Sequence, residues 1–276
     1  MSDYLCNLLI HNLFHDHNSV KMTFKLTSFL TFSLFFLFLL AFLACDNDSR
    51  YIEPYYFPIN ELKDGLVYEY GHPQFDSVAP FYNYFRIIKK KDTTSKRSKP
   101  LTYLVGMRYN HLFQPEQLSV EERISNGMLL TEGILYQTDS TGKQVSMPME
   151  IEVGSAFPFK ISKDGVFVYN IKWSEVDDPK KFTRLIRNRS FGGDTSYTFQ
   201  GKIYDAIQLN LKEKVETFDE GFVEHDFNGI EIYAEDIGLV YYRKNVTPEL
   251  IIEYELKDTY PMSVLEEKFG KSSNEE

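Results

Sequence analysis

Residues 101–109 read Leu101-Thr102-Tyr103-Leu104-Val105-Gly106-Met107-Arg108-Tyr109, and every second side chain from Leu101 to Tyr109 is apolar or aromatic. A period of two is the spacing of a β-strand, whose successive side chains point to opposite faces, whereas a helix repeats near 3.6. The stretch predicts a strand with Leu101, Tyr103, Val105, Met107 and Tyr109 on one face and Thr102, Leu104, Gly106 and Arg108 on the other. The same beat returns in Phe167, Tyr169, Ile171 and Trp173, and in Ile207, Leu209 and Leu211. It recurs in Leu250, Ile252, Tyr254 and Leu256 against Glu253, Glu255 and Lys257. Strands with one apolar and one polar face belong to antiparallel sheets.

Outward from these strands, turn chemistry recurs at short intervals: Lys63-Asp64-Gly65, Ser140-Thr141-Gly142, Lys163-Asp164-Gly165, Gly192-Gly193-Asp194 and Asn228-Gly229. Gly and Asn supply the positive φ angles of tight hairpins, and the spacing predicts a meander of about nine to twelve strands. The expected fold class is mainly β: a single antiparallel meander forming a curved sheet, half-barrel or sandwich, with one or two short helices. Ser119 with Glu122 has the form of a capping box and predicts a short helix ending near Asn126 and Gly127. A second helix is predicted over 263–269, before Gly270. Asp178-Pro179 opens a further turn, and residues 183–190 suit a strand.

Residues 26–44, LTSFLTFSLFFLFLLAFLA, carry no charge and lie between Lys25 and Cys45-Asp46. A positive flank, an apolar run and a small residue before the cut form an export signal. The run also approaches the roughly 20 residues that span a bilayer, so an uncleaved anchor is the rival reading. Met22 opens a leader of ordinary length, and the histidines at 11, 15 and 17 precede it. Leu43-Ala44-Cys45 resembles the lipobox of bacterial lipoproteins, with Phe42 standing where that family prefers Leu or Val. The resemblance implies that Cys45 carries diacylglycerol and becomes the mature N-terminus. Asp46-Asn47-Asp48-Ser49 is similar to the acidic export signals of Bacteroidetes-type lipoproteins. The expected organisation is a signal peptide over 1–44, a lipidated tether over 45–54, a β-rich domain over 55–270 and a disordered tail over 271–276. The expected address is the outer membrane, facing the periplasm or the cell surface.

Two further segments resemble uncharacterised β-rich envelope lipoproteins. Tyr56-Phe57-Pro58 with Gly65, Val67 and Tyr68 is similar to their entry strand, and Tyr233-Ala234 with Ile237, Gly238, Leu239 and Val240 to a strand near their C-termini. This implies a curved antiparallel sheet or half-barrel and brings no catalytic residue.

Forty acidic against thirty basic side chains give a net charge of −10, which repels a phosphate backbone and argues against nucleic acid as a partner. The local run Lys89, Lys90, Lys91, Lys96, Arg97 and Lys99 surrounds Asp92-Thr93-Thr94-Ser95 and reads as a solvated hairpin tip. Cys6 and Cys45 are the two cysteines, so neither a disulfide framework nor a thiolate metal cage is available to the mature domain.

No nucleophile elbow, phosphate loop, zinc helix or dinucleotide fingerprint occurs, so no catalytic residue, metal ligand or cofactor is assigned. His72, His111 and His225 are far apart; pairings with Glu116 or Asp226 are weaker readings than loop or surface positions. Asp177 and Asp178 read as turn caps beside Pro179. The aromatic clusters Tyr55-Tyr56-Phe57, Phe81-Tyr82 with Tyr84-Phe85, and Tyr241-Tyr242 leave two options. Adjacent rings on a strand face opposite ways, so either both faces of the sheet are covered or one face offers rings to a sugar or lipid. The expected role is non-enzymatic binding of an apolar ligand, glycan or envelope protein by a domain tethered to the membrane. The alternatives are a glycan hydrolase using paired carboxylates and a structural subunit of an outer-membrane complex.

Overall fold

The structure of the protein is a computed structural model that describes residues 49–91, 100–139, 141–176 and 178–272. The leader, Met22, Cys45, the acidic tether to Asp48, the tip of the basic hairpin, Ser140, Asp177 and the last four residues lie outside the described residues.

The first half of the chain forms β1 (Ser49–Tyr51), β2 (Leu66–Gly71), β3 (Phe81–Lys90), β4 (Leu101–Tyr109), β5 (Pro115–Ile124), β6 (Gly127–Thr138), β7 (Gln144–Pro148) and β8 (Glu150–Pro158). The second half forms β9 (Lys160–Ser162), β10 (Val166–Ser174), β11 (Phe182–Phe199), β12 (Lys202–Phe218), β13 (Phe222–Ala234), β14 (Gly238–Asn245), β15 (Ile251–Tyr260) and the helix α1 (Met262–Ser272).

Apart from β9, which pairs with β1, neighbours in space follow the order of the chain from β2 to β15, and all pairings are antiparallel. β7 and β8, separated by Met149 alone, together form the second arm of the hairpin begun by β6. The meander then closes on itself: β15 pairs with β2, setting Tyr260 opposite Val67 and Leu256 opposite Tyr70. The result is a closed up-and-down barrel of 12 strands, where a curved sheet, half-barrel or sandwich was expected. Closure abolishes the exposed edges that an open meander would leave unpaired.

Three local expectations are overturned. Residues 119–122 lie inside β5, not in a helix, because β4 and β6 supply ladder partners on both sides: Ser119 faces Gly106 and Gly133. Two flanking strands satisfy more backbone groups than an isolated helical turn does. Asn228-Gly229 lies within β13, paired on one side with Lys212 and Leu211 and on the other with Asn245 and Lys244. Gly192-Gly193 is a bulge within β11, between Phe191 and Gly193, with Gly193 at φ +139°. It bends an 18-residue strand without ending it. The turns at Gly65, Gly142 and Gly165 form as expected, and so does the C-terminal helix.

A barrel's diameter grows with strand number; eight strands leave room for side chains alone, and sixteen to eighteen leave an aqueous channel. Twelve fall between, so the interior needs filling. Residues 49–65 fill one end. β1 pairs with β9 at the rim, the Ile52 amide donates to the Phe159 carbonyl at 2.9 Å, and Ile87 N–H reaches the Leu62 carbonyl at 2.9 Å. Ile52, Tyr56 and Leu62 are buried against Tyr68, Phe157 and Tyr233 in the main core. The Phe57 ring packs 4.3 Å from Phe85 and 5.2 Å from Tyr68.

Both sides of β2 and β3 are covered. Phe81 and Phe85 face the interior, whereas Val67, Tyr82 and Tyr84 face outward beneath Leu265 and Phe269 of α1. Elsewhere the outer surface carries ion pairs such as Arg184 with Glu152 at 2.8 Å and Lys214 with Glu224 at 3.0 Å.

Candidate functional site

Above the plug the lumen holds a cavity of about 370 Å³, within the size range of small-molecule sites. Tyr56 and Phe57 of the plug form its floor, and it extends past the middle of the barrel toward the rim where β10 ends and β11 begins. One side is apolar, with Leu130, Leu135, Met149, Ile171, Trp173 and Leu185. The deeper part is polar, with Glu121, Arg187, Arg189 and Glu231.

Strand period places these charges. On β11, Arg187 and Arg189 share the inward face with Leu185; on β12, Glu213 shares it with Leu209 and Leu211; on β13, Glu231 shares it with Tyr233. Arg187 stands opposite Glu213 in register and meets its Oε2 with Nε and Nη2 at 2.9 Å, a two-point fork. Lys244 on β14 bonds the other oxygen of Glu213. Arg189 is 5% exposed; its Nη2 donates to the Ala156 carbonyl at 2.6 Å and its Nη1 lies 3.5 Å from Glu231. The Tyr233 hydroxyl donates to the same Glu231 carboxylate at 3.1 Å. Burying a charge costs several kcal/mol unless a partner and hydrogen bonds compensate, and here each of these carboxylates has both.

Burial and pairing together set how Glu213, Arg187 and Glu121 titrate. Burial acts to raise Glu213, but Arg187 and Lys244 outweigh it and hold the carboxyl below the usual range. Burial acts to lower Arg187, and Glu213 with Glu231 more than reverse it, so the guanidinium is held charged. Glu121 differs. Its partner is the neutral Tyr56 hydroxyl at 2.5 Å, and burial raises its pKa despite that bond and the field of Arg189.

The residues singled out from sequence fall elsewhere. Cys45 lies outside the described residues. His72 Nδ1 accepts the backbone amides of Gln74 and Phe75, each at 3.1 Å, and so organises the loop after β2. His111 lies in the turn after β4, and His225 on β13 stacks near Phe227. Glu116 pairs with Arg108 at 3.2 Å. Asp178 Oδ1 accepts the amide of Lys180 at 3.1 Å, the expected turn cap. Among the described residues no group of three or more His, Cys, Asp and Glu side chains is placed to hold a metal.

The lumen charges were not picked out from sequence. A signal exists for them: Arg187 and Arg189 occur in phase with Leu185, and Glu213 in phase with Leu209 and Leu211, where a strand facing a dry core would continue apolar.

Fold and site together define a class: a plugged up-and-down β-barrel whose lumen is apolar on one side and ionic at depth. No family model matches the chain, and no curated protein matches it. The chain is similar to the solved structure of a "putative lipoprotein" from Parabacteroides distasonis, at 11% identity over 74% of this chain and 97% of that one, with a TM-score of 0.47.

Proposed function

We propose that the chain is an envelope lipoprotein, anchored to the outer membrane through acylated Cys45, whose barrel is a non-enzymatic binding module for a small ligand with an apolar part. The observation that carries this reading is the lumen cavity: about 370 Å³ beside the side chains of Leu135, Ile171, Trp173 and Leu185, with a folded plug as its floor. A core selected for stability alone would be filled, since each void forfeits packing. Trp173 is the single tryptophan of the chain and lines the cavity, so its emission reports on the lumen directly. Titration with 1-decanol is expected to change that emission saturably, and Leu185→Arg, which projects a long side chain into the cavity, is expected to abolish the change. A response that is linear and unaffected by Leu185→Arg refutes lumen binding. Mass spectrometry of the mature protein tests the anchor: an N-terminal acylated Cys45 is expected, and a full-length unmodified chain refutes it.

A second reading, glycan hydrolysis, is favoured by one observation: Glu121 and Glu231 line the same cavity, one held by a neutral phenol and the other by guanidinium groups. Environments that differ in this way are how a pair of carboxylates divides acid from base. Hydrolysis of aryl glycosides by the wild-type protein, lost in Glu121→Gln, would establish it; no turnover leaves the binding module.

A further inference from the structure

The ionic part of the lumen is unevenly matched, and the class of ligand that this mismatch selects rests on the binding reading proposed for the barrel. Of the inward cations among the described residues, three, Arg187, Arg189 and Lys244, pair with two carboxylates, Glu213 and Glu231. Glu121, the remaining inward carboxyl, has a phenol for its partner, and among the described residues no cation lies within salt-bridge distance of it. Arg108 is matched separately by Glu116. Arg187, Arg189 and Lys244 outnumber the two carboxylates paired with them by one charge.

The geometry identifies where that charge is offered. Arg189 spends its amino groups on the carbonyls of Ser155 and Ala156 and on Glu231. Arg187 spends Nε and Nη2 on Glu213, but its Nη1 has its nearest carboxylate oxygen, on Glu231, at 3.6 Å, beyond hydrogen-bond reach. The Arg187 side chain is 26% exposed and lines the cavity. It is held on one edge by Glu213, and its Nη1 faces Glu231 without a hydrogen bond to it. On its own strand and the next, Leu185, Ile171 and Trp173 continue the inward face toward the rim.

We infer that the lumen's ligand is an amphiphile with a single anionic headgroup, a carboxylate or a phosphate. The headgroup accepts from Arg187 Nη1 at depth, and the apolar part runs along Leu185 and Ile171 to Trp173. A guanidinium already fixed by a carboxylate needs little reorganisation to receive a second oxygen, and charge-assisted hydrogen bonds of this kind are roughly twice as strong as neutral ones.

The test compares decanoate, decyl phosphate and 1-decanol by Trp173 emission, below the concentrations at which they aggregate. It uses the wild type, Arg187→Lys and the double variant Arg187→Gln/Glu213→Gln, which removes both members of the fork. At least one anion is expected to bind the wild type about tenfold or more tightly than the alcohol, which corresponds to about 1.4 kcal/mol. The better of the two names the headgroup. The double variant, which leaves Lys244 without its carboxylate, is expected to prefer the anions less than the wild type does, and Arg187→Lys to keep part of the preference. Should the double variant not fold, Arg187→Lys decides: an undiminished preference overturns the assignment to Arg187. Equal affinity of the wild type for alcohol and anions overturns the inference and leaves ligand binding standing, whereas no saturable response to any probe removes the binding reading itself.

Discussion

Arg187 Nε lies 2.9 Å from Glu213 Oε2 across directly paired residues of β11 and β12, with both side chains on the lumen face. The pair joins two of the longest strands at the level of the cavity, and Glu213 is also bonded by Lys244. A buried pair of this kind stabilises less than its geometry suggests, because both charges have left water. Breaking it from one side is a different matter. Arg187→Leu leaves Glu213 buried beside Lys244 alone and is expected to cost about 3–5 kcal/mol in urea unfolding. The double variant Arg187→Leu/Glu213→Leu is expected to recover part of that loss, the rest remaining because Lys244 loses its carboxylate. A double variant as unstable as the sum of its singles would show that the two residues do not act on each other.

Glu121 gives the fold a pH dependence of definite sign. Its pKa is raised in the folded state, chiefly by burial, so between the unfolded and folded values the native protein binds more protons than the unfolded chain. Stability from this group is present below the ordinary carboxylate range and is lost as pH rises through the folded value. Urea midpoints measured across that window are expected to fall with pH in the wild type and to fall less in Glu121→Gln. Tyr56→Phe removes a bond that lowers Glu121 and is expected to move the fall to higher pH. An identical pH profile for the wild type and Glu121→Gln contradicts the assignment.

Gly229 is required by contact, not by a turn. It lies within β13, and a methyl group there would overlap the Arg243 carbonyl oxygen on β14. Gly229→Ala is expected to destabilise by about 1–3 kcal/mol through forced separation of the two strands, measurable as a lowered unfolding midpoint. Gly142→Ala has open space around the new methyl but a φ of +83°, so its cost comes from backbone strain alone and is expected to be smaller.

Leu265 anchors α1 to the barrel wall. Leu265 is 0% exposed and packs in a cluster with Val67 and Tyr82 on the outer face of β2 and β3. Leu265→Ala is expected to cost about 2–5 kcal/mol, while affinity of the lumen for its probe stays unchanged, because the helix and the cavity lie on opposite sides of the barrel wall. A changed affinity would mean that the helix supports the lumen.

The sequence alone determined the β class, the antiparallel meander, its turns at Gly65, Gly142 and Gly165 and the C-terminal helix, because each rests on neighbours within a few residues: period-two alternation, local turn chemistry, and a short amphipathic run. It also supplied the expectation of an acylated Cys45, which rests on a local motif outside the described residues. Closure was decided by the tertiary structure. The pairing of β15 with β2 joins segments far apart in the chain, as does the Tyr260 hydroxyl on Glu69 at 2.5 Å, and no local pattern encodes it. Closure in turn decides which face is inside. In residues 101–109 the regular apolar set includes Tyr109, which lies outside under α1. Leu104 is buried in the core, and Gly106 and Arg108 line the lumen. Alternation specifies two faces without saying which is the interior. In a ring of 12 strands the inner face is defined by what the other strands bring to it, and there a charge meets a partner that the sequence places dozens of residues away.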